Sequence, residues 1–276
     1  MRLRLFHAPD GTRIAYREAG TGPALMLAHS AGFSHREFEP LVEHLSDRFK
    51  LVLPDLPLHG DSEDRPHHSY SHEWLAGILA RFCTDTCGKR PLVGGHGLGA
   101  ELLAHAVAGG QLEPRRMILM PNRLHNPRPA GGGWLTAARL GAVPGIDYLA
   151  SHAAKFARRP AGGVDLTATG NEAARDLIRH YMADVGGNAN LARSWSRFAA
   201  RAGDYRSRDL LDRYSSIDIP VLLLWADNDR HYPVSRAEEA LDLLPDAQLR
   251  VVSRTGFLMS YDDPVEVSRE IVSFCR

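Results

Sequence analysis

The chain has 276 residues, of which 44% are hydrophobic, so it is long enough for one large domain with a substantial core. Its 33 basic and 33 acidic residues leave a formal net charge of zero, which argues against nucleic acid, an anionic membrane or a charged polymer as partner. The N-terminus lacks an apolar signal core and no stretch is long enough to span a bilayer, so we expect a cytoplasmic protein.

Apolar runs of strand length alternate with segments of helical periodicity along most of the chain. Strands are predicted at Arg2–His7, Arg13–Arg17, Ala24–Ala28, Leu51–Pro54, Pro91–Gly94, Arg116–Met120, Val221–Ala226 and Gln248–Val252. Helices are predicted at Glu37–Leu45, Ser71–Cys87, Leu98–Ala108, Ser235–Leu244 and Pro264–Cys275. The first two strands flank a Pro-Asp-Gly-Thr turn and form a hairpin, and the later strand–helix repeats predict a mostly parallel sheet with helices on both faces, an α/β fold.

The pattern changes between Pro121 and Ile217. This stretch has loops rich in glycine and proline and no clear strand, and candidate helices lie at Asp147–Arg158, Asn171–Val185 and Asn190–Ala202. We expect a helical lid over residues 122–217, inserted after the sixth strand into a core formed by residues 1–121 and 218–276.

The cysteines do not suggest a disulfide or a metal site. Cys83 and Cys87 are one helical turn apart, which suits a disulfide poorly, and no further ligands of matching spacing lie nearby. We therefore expect no bound metal.

A strand turns sharply into a helix at residues 91–100, which read Pro-Leu-Val-Gly-Gly-His-Gly-Leu-Gly-Ala. This segment resembles the nucleophile elbow of the α/β-hydrolase family, Gly-X-Ser-X-Gly, in which a serine sits on a strained turn above the sheet. Gly97 stands where the family has that serine.

The rest of the family pattern is similar over essentially the whole chain. The matching segments are Asp10–Tyr16, the oxyanion loop Leu25–Gly32, the Asp-Leu-Pro-Leu-His-Gly-Asp-Ser segment Asp55–Ser62, the acid loop Val221–Pro233 and the histidine segment Thr255–Pro264. The resemblance implies an eight-stranded, mostly parallel sheet with a lid. By position, it makes Asp229 the triad acid, with Asp227 as the alternative nearer the strand, and it places Phe257 where the catalytic histidine belongs.

These replacements remove the chemistry of the serine-hydrolase triad. Glycine offers no nucleophile and phenylalanine offers no base, so hydrolysis through an acyl-enzyme has no path at these positions. Glycine freely adopts the positive φ that the elbow needs, so we expect the turn and the Leu98 N–H to be kept. Together with the N–H of Ala31 or Ser30, this leaves two donors for an oxyanion or a carbonyl.

Several polar residues could serve the remaining site, each with a structural alternative. Asp229 either moves a proton or caps backbone N–H groups in its loop. The Ser30 hydroxyl either faces the pocket or caps the oxyanion loop. His96 is expected to pack against a neighbouring helix, and His29 to lie beneath the oxyanion loop. His231 either reaches the pocket mouth or belongs to a surface loop.

Lid aromatics are expected to form mainly the lid core, and one or two of them to line an apolar ligand site. The six are Trp134, Tyr148, Phe156, Tyr181, Trp195 and Phe198. The pocket candidates among them are Trp134, Tyr181 and Trp195.

Three functions remain open at this point. The first is a non-hydrolytic enzyme that cyclises, isomerises, eliminates or decarboxylates an apolar carbonyl compound, as in natural-product tailoring. The second is a binding protein without turnover, and the third is a hydrolase with a relocated nucleophile such as Ser30 or a water activated by an aspartate. The expected partner is an apolar small molecule. We expect no cofactor, because the elbow lacks the Gly-X-Gly-X-X-Gly spacing of a dinucleotide site.

Overall fold

The computed structural model describes residues 1–65, 68–123, 140, 166–177, 189–201 and 212–276. The eight predicted strands form one sheet. Their bounds are β1 Arg2–His7, β2 Arg13–Ala19, β3 Ala24–Ala28, β4 Lys50–Pro54, β5 Leu92–Gly95, β6 Arg116–Leu119, β7 Val221–Ala226 and β8 Ala247–Val252. The strand order is β1-β2-β4-β3-β5-β6-β7-β8, and every pair from β4–β3 onward is parallel.

Helices cover both faces of this sheet. Their bounds are α1 Val42–Leu45, α2 His72–Cys87, α3 Leu98–Ala108, α4 Ala189–Arg201, α5 Val234–Leu241, α6 Met259–Asp262 and α7 Pro264–Cys275. Helices α2, α3 and α5 contribute to a core on one face, and α1 and α7 contribute to a core on the other. None of the helices within the described ranges is both long enough and apolar enough to cross a bilayer.

The segment after β3 differs from its prediction as one helix. It forms a 3₁₀ helix, His35–Leu41, followed by the single turn α1. Pro40 lies inside the 3₁₀ helix, and because proline has no N–H and crowds the preceding turn, it disfavours a continuous α-helix there. The 3₁₀ helix nonetheless buries Phe38 and Leu41, as the predicted apolar face requires.

Between β6 and β7 only part of the predicted lid can be described. Residues 172–177 are helical, and α4 agrees with the third candidate helix to within one residue at each end. Asp147–Arg158 lies outside the described residues. The same holds for four of the aromatic candidates, Trp134, Tyr148, Phe156 and Tyr181. The division into a core and a lid at residues 122–217 stays a prediction.

Candidate active site

Four loops meet at one edge of the sheet because the strands before them are parallel. Ser30 follows β3, Gly97 follows β5, Asp229 follows β7 and Phe257 follows β8. Ligand sites of open α/β sheets lie at this carboxyl edge. The predicted site residues therefore come from loops that the topology brings to one edge.

The turn after β5 keeps a sharp, left-handed backbone at Gly97. This residue has φ 51° and ψ −118°, and it is the N-cap of the 11-residue helix α3. Its N–H donates to the Pro121 carbonyl over 3.0 Å, which ties the turn to the end of β6. Leu98 is the first residue of α3, so its N–H has no acceptor within the helix and lies where the helix dipole favours negative charge.

Ser30 occupies the space in which a side chain at position 97 would begin. A Cβ built on Gly97 would lie 2.5 Å from the Cβ of Ser30 and 3.6 Å from Cζ of Phe257. Real Cβ atoms do not approach each other to 2.5 Å, so a side chain at 97 requires Ser30 to move. The loop after β3 and the turn after β5 therefore border the same space, and the Ser30 side chain occupies it.

The hydroxyl of Ser30 is directed at a buried carboxylate, Glu37 of the 3₁₀ helix. Oε2 of Glu37 accepts the Ser30 N–H over 2.8 Å and the Ser30 hydroxyl over 2.9 Å. Oε1 of Glu37 forms a short contact with Nδ1 of His96, the residue before Gly97. Burial alone would raise the pKa of Glu37, but the charge and hydrogen bond of His96 and the Ser30 N–H hold that pKa below its ordinary value.

This network bears on which of two N–H groups, that of Ser30 or that of Ala31, could act beside the Leu98 N–H as a second oxyanion donor. The Ser30 N–H is already bound to Glu37, so it is not the second oxyanion donor. Ala31, which is exposed, is the alternative that remains. Ser30 therefore contributes to the site by filling space and holding Glu37.

The sequence predicted that His96 packs against a neighbouring helix. In the structure His96 also contacts Phe257. Its ring lies on that of Phe257, with centroids 4.1 Å apart and planes tilted by 35°. The Nε2 atom of His96 is buried and has no hydrogen-bond partner among the described residues. Phe257 also contacts Tyr232, at 5.6 Å between centroids, and Phe33, at 6.5 Å. The position of the family's histidine is thus the centre of an aromatic cluster.

Asp229 caps its own loop with one oxygen and leaves the other unused. Oδ1 accepts the N–H groups of His231 and Tyr232 over 2.7 Å and 3.0 Å, as the structural alternative predicted. Oδ2 is buried and has no partner in the described part of the chain. The neighbouring Asp227 instead accepts the Thr255 N–H over 3.2 Å and so holds the loop after β8. His231 is exposed.

His29 lies beneath the oxyanion loop, and both of its ring nitrogens are used there. Nδ1 donates to the Ser30 carbonyl over 2.8 Å, and Nε2 accepts the Leu56 N–H over 2.9 Å. Because Nε2 accepts a hydrogen bond it carries no proton, so the ring is neutral, and burial lowers the pKa of His29 in the same sense.

Two residues of this region were missed at the level of sequence. Glu37 was included only as the first residue of a predicted helix, and its one signal was an acidic side chain beside an apolar run. His59 was quoted only as part of a motif. The centroid of its ring lies 4.9 Å from that of His29 and 4.8 Å from that of Trp195, which is the one pocket candidate of the predicted lid among the described residues.

The described residues contain no group of three or more His, Cys, Asp or Glu side chains that could hold a metal ion.

A family model described as the alpha/beta hydrolase family matches residues 25–270. The chain belongs to this family. Relatives of this α/β hydrolase include an uncharacterized protein of Mycobacterium tuberculosis, 26% identical over 277 residues, which cover 94% of this chain and 77% of the relative. They also include a pimeloyl-[acyl-carrier protein] methyl ester esterase of Aeromonas salmonicida, 25% identical over 270 residues, which cover 94% of this chain and 99% of the esterase.

The solved structures give the same fold. A thermophilic esterase from Thermogutta terrifontis superposes with a TM-score of 0.76 at 19% identity, covering 100% of this α/β hydrolase and 98% of the esterase. At this identity the likeness shows the fold alone.

Proposed function

We propose that this α/β hydrolase is a non-hydrolytic enzyme that forms and reprotonates an enolate on an apolar, carbonyl-containing small molecule. Isomerisation, elimination, decarboxylation and carbon–carbon cyclisation of such a molecule can each proceed through an enolate. Natural-product tailoring in the cytoplasm is the setting that fits this chemistry. The relative named as a methyl ester esterase acts, by its name, on a carbonyl compound, which supports a carbonyl as the recognised group.

The turn at Gly97 carries the proposal. Its left-handed backbone presents the Leu98 N–H at the start of α3, while the position itself has no side chain to attack a carbonyl. With the Ala31 N–H, this gives two donors for a developing oxyanion, and one such donor contributes about 3 kcal/mol of transition-state stabilisation. The site is therefore suited to polarising a carbonyl and unsuited to forming an acyl-enzyme.

The unused oxygen of Asp229 supplies the base. The carboxylate takes a proton from the carbon next to the carbonyl, the C–H electron pair forms a C=C bond, and the C=O π pair moves to the oxygen beside Leu98 and Ala31. Return of the proton, or loss of a leaving group, completes the reaction. The rings of Phe33, Tyr232 and Phe257 supply apolar surroundings for the substrate.

Hydrogen exchange tests this reaction without knowledge of the product. The protein is incubated in D2O with a panel of alkyl aryl ketones and enones, and deuterium next to the carbonyl is measured by mass spectrometry. We expect catalysed exchange for at least one class, and its loss in Asp229→Asn. Exchange at the uncatalysed rate across the panel, or undiminished exchange in Asp229→Asn, would contradict the proposal.

A binding protein without turnover is the second candidate, favoured by the absence of both the serine and the histidine. Ketones that bind without exchange would identify it. A relocated serine nucleophile is disfavoured, because the Ser30 hydroxyl donates to a carboxylate whose lowered pKa makes it a weak base. Labelling of Ser30 by a fluorophosphonate probe would reverse that conclusion.

A further inference from the structure

His59 carries a buried nitrogen that the proposed reaction does not use. The residue is 3% exposed and lies in the loop after β4, between His29 below the oxyanion loop and α4. Its Nε2 atom is sealed from solvent and has no hydrogen-bond partner among the described residues.

The bonding of the other ring nitrogen fixes what Nε2 can do. Nδ1 lies 3.0 Å from the Pro57 carbonyl oxygen, which can only accept, so Nδ1 carries the hydrogen. Burial, with a smaller contribution from His29, lowers the pKa of His59 to about 3, so the ring is neutral near pH 7. Nε2 is therefore a bare lone pair, an acceptor that needs a donor.

Aromatic rings of α4 pack against the His59 ring. The Trp195 ring is edge-on to His59 at 4.8 Å and 76°, and the Phe198 ring lies at 6.2 Å and 89°. A buried acceptor left without a donor destabilises the protein, whereas a donor that reaches it gains a hydrogen bond in low dielectric. An aromatic wall with one acceptor suits a ligand that is apolar except for one donor group.

We propose that Nε2 of His59 accepts a hydrogen bond from a hydroxyl group of the ligand, so that the ligand is a hydroxylated apolar carbonyl compound. The carbonyl lies at the Leu98 N–H and the hydroxyl-bearing part lies under Trp195 and Phe198 of α4. This inference rests on the proposed function for the placement of the carbonyl. It adds the group that selects the ligand.

Matched pairs of ligands test the inference by binding alone. Alkyl phenyl ketones with a hydroxyl at the ortho, meta or para ring position are compared with the parent ketones by titration calorimetry. We expect at least one hydroxylated ketone to bind the protein about tenfold more tightly than its parent. In His59→Phe and His59→Asn we expect the members of each pair to bind equally.

Two variants are used so that a folding defect in one does not decide the result. In His59→Asn the asparagine amide can still donate to the Pro57 carbonyl but has no Nε2 atom. Asp229→Asn is the matched control. It should keep the preference for the hydroxyl while losing deuterium exchange, so failure of this inference and failure of the proposed reaction are separate results. Equal affinity of all pairs for the unmodified protein, a preference that survives in both His59 variants, or a panel in which nothing binds would overturn the inference.

Discussion

Ser30 and Gly97 face each other across the turn that follows β5, and only one of them can carry a side chain without rearrangement. Ser30 carries it, and its hydroxyl is bound to Glu37. Asp229, which the family pattern predicts as the triad acid, leaves Oδ2 unpartnered in the described part of the chain. Three features of a serine-hydrolase site are therefore absent: a nucleophile at position 97, an imidazole at position 257, and free space beside position 97, which Ser30 fills.

Restoring those features should restore hydrolysis. We expect the triple variant Ser30→Gly, Gly97→Ser, Phe257→His to react with a fluorophosphonate and to hydrolyse 4-nitrophenyl butyrate. The reason is that the new hydroxyl gains space, and the new imidazole replaces a ring whose Cζ lies 3.6 Å from the Cβ position of residue 97. Stoichiometric labelling by mass spectrometry is the measurement.

The single variant Gly97→Ser is the control for this reconstruction. Its Cβ collides with that of Ser30, so we expect no hydrolysis and a loss of about 1–3 kcal/mol in the free energy of unfolding. Adding Asp229→Asn to the triple variant should lower kcat by about 10⁴. An inactive triple variant that folds normally would show that the acid or the donors are misplaced.

At the residue scale, the sequence predicts those site residues whose positions are set by a family motif. Gly97 and Phe257 follow from counting along the family pattern, and the positive φ of Gly97 follows from the elbow. Glu37 and His59 could not be predicted, because their roles depend on partners distant in sequence, His96 and the aromatic rings of α4.

At the scale of elements, the 3₁₀ helix is tied to three other parts of the site through one residue. The Glu37 side chain binds the oxyanion loop at Ser30 and the elbow at His96, and the Glu37 carbonyl accepts the hydroxyl of Ser260 in α6 over 2.6 Å. The helix therefore acts as a support beneath the turn.

Removing the charge of Glu37 should loosen that support. We expect Glu37→Gln to lower the free energy of unfolding by about 3 kcal/mol, because it leaves the buried His96 contact without its carboxylate. Urea unfolding is the measurement. Glu39→Gln, on the exposed side of the same helix, should change stability by less than about 0.5 kcal/mol. Equal effects of the two substitutions would show that the network does not support the fold.

The contribution of the Leu98 N–H, at the N-terminus of α3, to the proposed reaction can be tested by removing that hydrogen. Proline is tolerated at the first position of a helix, so Leu98→Pro removes the N–H while the helix persists. Leu98→Ala loses the same buried side chain and keeps the N–H. We expect deuterium exchange to be about 10²–10³ slower in Leu98→Pro than in Leu98→Ala. Equal exchange rates would show that this N–H does not stabilise the enolate.

At the scale of the whole molecule, the parallel sheet was predictable from the sequence, and the packing of α4 against the loops of the sheet was not. β3 and β7 agree with their predictions to the residue, because short apolar runs ending in turns define them locally. β2 extends beyond its prediction to Ala19, because Glu18 and Ala19 pair with β4, a contact distant in sequence. Helical periodicity located α4 but could not show that its aromatic rings pack on His59.

Buried groups with displaced pKa values make the stability of the whole molecule depend on pH. Folded His59 has a pKa of about 3 against an ordinary value of 6.5, so below pH 6.5 the unfolded chain binds a proton that the folded chain does not. Stability is then full above pH 6.5 and is lost as pH falls toward 3, at a slope of at most about 1.4 kcal/mol per pH unit.

We therefore expect the free energy of unfolding to fall between pH 7.5 and 4.5, as measured by urea unfolding. His59→Asn should show a shallower fall over this range, with a remaining slope from His29, whose pKa is also lowered. Glu101 adds to the loss at lower pH, because Arg123 and His72 outweigh its burial and hold its pKa at about 2. Identical slopes in His59→Asn and the unmodified protein would contradict this assignment.

The shared volume of Ser30 and Gly97 also couples substitutions at these two positions. A serine introduced at position 97 alone collides with the Cβ of Ser30, and a glycine introduced at position 30 alone leaves the carboxylate of Glu37 without its hydroxyl partner. Either substitution alone therefore creates a local defect in the folded state, so the side chains at positions 30 and 97 constrain each other.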